Sequence, residues 1–313
     1  MFGFVLVLPL MLIIITGNLL RSRGFYSERD IKTLTKTLYW VILPPLLFKT
    51  TFMSGMDIRN NPKILIAVFI SSLITMLFVW LVGNIYFHKN NSKRLAVSVL
   101  ASIRSNTIYI GLPLSYLVMG DVGFNYAAMF IAISYVPRQL LSIYFADVVL
   151  MESFKCENLL KQLRKITLNP LILACLAGLL FSFFKIDIIN NISDNMIKIL
   201  SNSATAIALI SLGGTLNFSD MTSLIRIFAD TWQECVFRFV VNPMIMWLVM
   251  YYLKIDFQIL MIAVLITAMP TSIDTFVLAK ELGGDDKFAA DIATLTTTFS
   301  IVAIPIWIRI LNF

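Results

Sequence analysis

The sequence predicts an all-α membrane protein of about ten transmembrane helices, arranged as two five-helix copies of opposite orientation. Three observations point there. Charged residues make up 14% of the 313-residue chain and hydrophobic ones 58%, where soluble chains carry about 25% charged residues. Apolar runs such as 2–20 and 64–86 are unalternated and about twice as long as the ~10-residue segments of an outer-membrane barrel. Pro, Gly and Asp recur between the two halves at a nearly constant offset. A mean hydropathy of +0.85 leaves too little polar surface for a soluble enzyme, and the composition excludes a disordered chain, a collagen or a disulfide-stapled module.

Taken in order, the spans are read at 2–20, 34–54, 62–87, 94–118, 122–150, 166–185, 192–217, 224–253, 256–281 and 287–311. The first is apolar from Phe2, and Arg21 and Arg23 follow it, the reverse of a cleavable signal peptide. The second ends near Lys49. After the third comes a polar loop with His88 and Lys89; His88 is read there as neither a zinc ligand nor a catalytic base. The fourth is interrupted at mid-depth by Arg104-Ser105-Asn106-Thr107 and then Gly111-Leu112-Pro113. The fifth carries Arg138 and Gln139 after Pro137, with Asp147 nearer its end, read as solvated or capping like Asp291 in the tenth. In the eighth, Asp230, Glu234 and Arg238 recur every four residues, which reads as a charge ladder along one helix face. The ninth is interrupted by Pro270-Thr271-Ser272-Ile273-Asp274-Thr275. Residues 1–150 thus form a first repeat, 151–165 a short cytoplasmic linker and 166–313 a second, inverted repeat.

The net charge of +7 reads as topology. Lys and Arg are about twice as frequent in one set of loops as in the other, which puts those loops inside and both termini outside a plasma membrane. The basic residues form no stripe interleaved with aromatics, so no nucleic-acid partner is expected. The three cysteines show no metal spacing. No catalytic constellation stands out, and neither an enzyme nor a cofactor is expected.

The repeat rests on named residues. Pro9 and Gly17 match Pro170 and Gly178 at an offset of 161 (170 − 9). Asp57 matches Asp220 at 163 (220 − 57), and Gly120-Asp121 matches Gly284-Asp285 at 164 (285 − 121). Asn106-Thr107 faces Pro270-Thr271. Five spans per copy force the second copy to insert upside down, and inverted repeats with an interrupted helix at matching positions point to a secondary transporter. Two inverted halves can exchange inward-open and outward-open shapes of nearly equal energy.

At these residues the sequence resembles the auxin efflux carrier family, the bacterial membrane transport proteins related to the plant auxin exporters. The likeness is carried by the Pro9/Gly17 helix, Leu43-Pro44-Pro45-Leu46-Leu47-Phe48, Asn106-Thr107 with Gly111 and Pro113-Leu114, Asn169-Pro170, Ser211-Leu212-Gly213, and Ala268-Met269-Pro270 through Glu281. It implies the sodium/proton antiporter-like and bile acid symporter-like fold, with broken helices 4 and 9 crossing. Spans 1, 2, 6 and 7 would form a scaffold that also makes a homodimer, and spans 3–5 and 8–10 an elevator-like transport domain. It further implies efflux of a small organic anion, a carboxylate of malate, malonate or auxin type. A membrane-embedded anion sensor without transport is the alternative.

The chemistry at the breaks fits that implication. Interrupting a helix in lipid strands N–H and C=O groups, which is tolerated where the backbone is buried in protein or lines a water-filled path. Half-helix N-termini offer free N–H groups to an anion. Asn106, Thr107, Thr271, Ser272 and Thr275 add side-chain partners, while Gly111, Pro113 and Pro270 shape the breaks. Arg104 reads either as an anion clamp or as a structural partner of Asp274. Gln139 is a substrate contact by resemblance. Asp274 is the acid that could carry a coupling proton; a coupling sodium ion is equally open.

Overall fold

The computed structural model describes residues 2–60, 62–150, 170–186, 191–215, 221–272 and 274–313. The 151–165 linker and Asp220 lie outside them. Regular structure among these residues is helical, and the β pairing is one antiparallel bridge between Ser105 and Thr271.

Helix α1 (Phe2–Ser22) ends on Arg21, whose Nη1 donates to the Gly214 carbonyl at 2.7 Å. After a turn with Gly24 at φ +76°, Ser27 starts α2 (Glu28–Thr37) through a capping box with Asp30. The hydroxyl and the carboxylate each satisfy a backbone N–H left open at a helix start. The helix continues through a π turn over 38–42 into α3 (Leu43–Asn60), so the helical run that holds the expected second span starts at Glu28. A Ser27-x-x-Asp30 pattern carried that signal. Ile31, the buried residue of α2, lies against Gly214.

Next come α4 (Lys63–Val82), extended by a π turn to Phe87, and α5 (Ser92–Ile103). A π turn over 107–111 then leads into α6 (Leu112–Leu150). The break expected at Gly120-Asp121 is present inside that range: two helices meet at Gly120, whose φ +61° and ψ −146° are non-helical, and the chain folds over there so that a β-carbon on Gly123 would overlap the Ser115 carbonyl oxygen. The remaining helices are α7 (Pro170–Phe183), α8 (Asn191–Thr215), α9 (Met221–Val236), α10 (Asn242–Tyr252), α11 (Phe257–Thr267), α12 (Asp274–Leu282) and α13 (Asp286–Ile310). A π turn over 237–241 joins α9 to α10.

Among the described residues, Lys63–Phe87, Thr107–Leu150, Ile225–Tyr252 and Asp286–Ile310 are long and apolar enough to cross a membrane. Phe257–Thr267 is apolar but short, because the chain breaks after it. Residues 259–267 of α11 are all buried, as expected of a helix that is hydrophobic all round and central to the bundle.

Packing alternates between the halves. The most extensive pairings are α3 on α7 and α1 on α8. In the second, a β-carbon on Gly17 would overlap the Ile210 carbonyl oxygen, and one on Gly213 would overlap that of Ile14. Gly178 on α7 lets the Phe48 carbonyl approach in the same way. Lys49 on α3 reaches Asp194 on α8 as an ion pair. Left-handed residues recur along the chain at Gly24 and Lys185, at Asn90 and Lys254, and at Gly120 and Gly283. Their offsets are 161 (185 − 24), 164 (254 − 90) and 163 (283 − 120).

Candidate functional site

Two helices stop in the middle of the bundle, and their loose ends meet. Helix α5 ends at Ile103, and Arg104 leaves it with φ −85° and ψ 87°. Helix α11 ends at Thr267, and α12 begins at Asp274. The extended residues between run antiparallel: the Asn106 N–H donates to the Pro270 carbonyl at 2.8 Å, and the Ser272 N–H to the Arg104 carbonyl at 2.9 Å. This exchange satisfies backbone groups that would otherwise be stranded away from water.

The carbonyls at both helix ends are met by side chains from elsewhere. Arg238, 1% exposed, donates Nε to the Met269 carbonyl at 2.6 Å and Nη1 to the Ser102 carbonyl at 2.7 Å. Its Nη2 donates to the Ser105 hydroxyl. One guanidinium therefore holds the C-terminal ends of two half-helices, where the partial negative charge of each sits. Asn242 donates to the Thr267 carbonyl at 3.2 Å, and the Thr296 hydroxyl accepts the Thr271 N–H at 3.1 Å.

Several sequence-selected residues come together here. Arg104, Asn106, Pro270, Thr271 and Ser272 are joined by the exchange just described. The Asn106 side chain accepts the Tyr109 N–H at 3.3 Å and caps the 107–111 turn that Thr107 opens. A β-carbon on Gly111 would lie 3.6 Å from Met269, so the turn packs directly against the second break. Thr275 is fully buried. Asp274 opens α12 through its backbone, and its side chain lies outside the described residues. Pro113 is buried just inside the start of α6. Gln139 is half-buried on α6.

Buried polar atoms without a protein partner gather at this place. They include Asn106 Nδ2, Thr275 Oγ1 and Asn242 Oδ1. Arg138 on α6 is 5% exposed, and none of its three guanidinium nitrogens has a hydrogen-bond partner. The guanidinium sits 5.7 Å from the Phe130 ring centroid and is close enough to Arg238 for the two charges to repel. An arginine at the centre of a membrane span costs about 2.5–3.5 kcal/mol on insertion scales, and this one has the Phe130 ring but no hydrogen bond to offset its burial. Chemically, the arrangement offers charge-assisted N–H donors and amide and hydroxyl groups to something negative.

Sequence reasoning missed Arg138 and Arg238. Arg138 carried a usable signal as an ionisable residue within a span, whereas the resemblance pointed to its neighbour Gln139. The Asp230–Glu234–Arg238 ladder is corrected: each member pairs with another helix. Asp230 meets Arg94 at 3.0 Å, and Glu234 accepts the Ser98 hydroxyl at 2.8 Å. Tertiary partners outcompete the weak i,i+4 attraction. Asp147 is corrected too, since it is 2% exposed with both carboxylate oxygens unpartnered.

Residues 2–308 match the family model described as "Membrane transport protein". An "Uncharacterized transporter" of Methanocaldococcus jannaschii is 24% identical over 306 residues, covering 96% of each chain. A protein of the same description from Methanothermobacter thermautotrophicus is 21% identical over 304 residues, again covering 96% of each. A "Putative malonate transporter" of Rhizobium meliloti is 21% identical over 308 residues, covering 96% of this chain and 92% of its own.

Proposed function

Because the chain belongs to the membrane transport protein family and is a multi-pass membrane transporter, we propose that it is a secondary carrier for a small organic anion of malonate type. The carboxylate docks where the breaks after Ile103 and Thr267 meet. The observation that carries the reading is a buried guanidinium, Arg138, left without a partner beside that meeting point. An anion there would complete the hydrogen bonding of Arg138 and of the Asn106 amide. The malonate description of the Rhizobium meliloti relative supports the same substrate class.

Movement follows from symmetry. The matching offsets of left-handed residues and of Pro, Gly and Asp support two inverted copies. The α1–α8 and α3–α7 pairings support a scaffold that exchanges one helix pair between copies. The transport domain is then α4–α6 with α9–α13, sliding past the scaffold with the anion held at the breaks. A homodimer through the scaffold, both termini outside and a plasma-membrane location complete the proposal.

The test is exchange in vesicles. Purified protein reconstituted with internal malonate should take up labelled malonate saturably, and unlabelled dicarboxylates should compete. Replacing Asn106 by Leu should reduce uptake about tenfold or more by removing one charge-assisted contact. Absence of saturable exchange for malonate, malate and indole acetate alike would overturn the carrier reading.

A further inference from the structure

A second polar cluster lies one helical turn from the breaks. His88 follows the π turn at the end of α4 and is 4% exposed. Its Nε2 lies 3.1 Å from Glu234 Oε1 on α9. The Ser98 hydroxyl on α5 lies 2.9 Å from Oε1 and 2.8 Å from Oε2 of the same carboxylate. The His88 and Glu234 side chains are 3% and 1% exposed. The walls are apolar: the Phe288 ring stands edge-on to His88 at 5.3 Å, and a β-carbon on Gly83 would touch the imidazole at 3.6 Å. The histidine thus holds the loop position expected from sequence, but its side chain packs into the interior.

We propose that His88 and Glu234, steadied by Ser98, form a proton-binding site whose occupancy is linked to that of the anion site. The inference rests on the carrier reading given above. A neutral imidazole donating Nε2–H to a carboxylate carries one negative charge as a pair. Adding one proton, at either member, brings the pair to zero without breaking their contact. Such a pair can gain and lose a proton while staying buried, which a lone buried acid does only at high cost.

Position links it to the breaks. Glu234 and Arg238 are four residues apart on one helical run, about 6 Å along the axis. Ser98 and Ser102 are likewise four apart on α5, and the Ser102 carbonyl accepts from Arg238. The pair's charge therefore acts on Arg238 and, through the repulsion between the two arginines, on Arg138, the guanidinium that would face the anion. An anion bound there repels the unprotonated pair, so anion and proton favour each other's binding, and the linkage is reciprocal.

The neighbouring charges leave this pair its own balance. On α9 are Asp230 and Cys235, with Arg238 in the π turn that follows. From α5 comes Arg94, engaged by Asp230 at 3.0 Å and by Asp285 at 3.3 Å and stacked 4.7 Å from the Phe288 ring centroid. From α13 come Asp285 at its N-cap, Lys287 and Asp291, whose field is set by Lys287, Asp230, Asp285 and Arg94. Lys89 follows His88 in the chain. On α6 are Arg138, facing Arg238, and Asp147. His88 is thus the recorded basic partner of Glu234.

The chain has one histidine, which makes the test direct. Protein labelled with 15N-histidine in lipid bilayers yields the ring nitrogens of His88 alone. They should report gain of a proton as the pH is lowered, and saturating malonate should shift the pair toward its protonated form. Malonate affinity should rise on the order of tenfold from about pH 8 to pH 6, with proton uptake on binding. Glu234→Gln, which keeps the side-chain shape, should remove the malonate-dependent shift and flatten the affinity profile. Ring nitrogens that do not titrate in wild type, or a profile unchanged in both Glu234→Gln and His88→Gln, would overturn the proposal. Absence of malonate, malate and indole acetate binding at every pH would instead sink the carrier reading, while the anion-free titration would still decide whether the pair exchanges a proton.

Discussion

Two arginines lie close together and have opposite energetics. Arg238 is saturated by carbonyls and a hydroxyl from both breaks, whereas Arg138 has no partner. Substituting each should therefore move stability in opposite directions. Arg238→Gln leaves the Met269 and Ser102 carbonyls without a cation and should cost at least about 3 kcal/mol, read as a lower melting temperature in detergent. Arg138→Met removes an uncompensated buried charge and should stabilise by about 1–3 kcal/mol. The same substitution should lower malonate exchange about 10–100-fold, the worth of a charge-assisted hydrogen bond. If Arg138→Met melts lower than wild type and transports normally, Arg138 is a structural residue and the site lies elsewhere. At this scale the sequence was legible in part. Asn106, Thr271 and Thr275 stand out because polar residues amid apolar runs are expensive. The partners of Arg238 and Glu234 were not legible, because they arrive from other parts of the chain: Ser98, Ser102 and Ser105 lie more than 130 positions away, and Met269 lies 31 away across a break. A four-residue spacing suggested a local explanation for both.

The elements that hold the site in place depend on close backbone approach. Helix α1 crosses α8 where Gly17 faces Ile210 and Gly213 faces Ile14. A β-carbon at Gly213 would lie 2.8 Å from the Ile14 carbonyl carbon and 3.1 Å from the Asn18 nitrogen. Small residues let helices pack in lipid, where apolar area gives no drive to associate. Gly213→Leu should therefore separate the two helices and destabilise the protein by about 1–3 kcal/mol or more, measured by thermal melting. Gly24, with open space around its β-position, needs its glycine only for the positive φ, so Gly24→Asn should be nearly neutral. Equal melting temperatures for Gly213→Leu and wild type would mean that this crossing does not support the bundle. Helix existence was readable from the length of apolar runs. Helix ends were less so: the capping box at Ser27 moved one start to Glu28, and the junction of the fourth and fifth spans narrowed to the one non-helical residue Gly120. Both are set by single residues rather than by periodicity.

At the scale of the whole molecule, the claim with most consequence is that the halves are upside down relative to each other. On the proposed reading, five spans per copy would place equivalent turns on opposite sides of the membrane. Asn90 and Lys254 are such a pair, each left-handed and 164 residues apart (254 − 90). With Cys156, Cys175 and Cys235 changed to Ser, single cysteines at 90 and 254 should answer differently to a membrane-impermeant maleimide on intact cells. Asn90→Cys should be labelled only after the membrane is opened, and Lys254→Cys at once. The same rule predicts that Lys185→Cys labels from outside and that Gly24→Cys does not, since 185 and 24 are also equivalent. Labelling of 90 and 254 from the same side would mean an even number of crossings between them. The two copies would then be parallel, and a parallel pair cannot exchange inward and outward shapes by symmetry. The meeting of the breaks would then remain, but as an anion site without the two-sided access that a carrier requires.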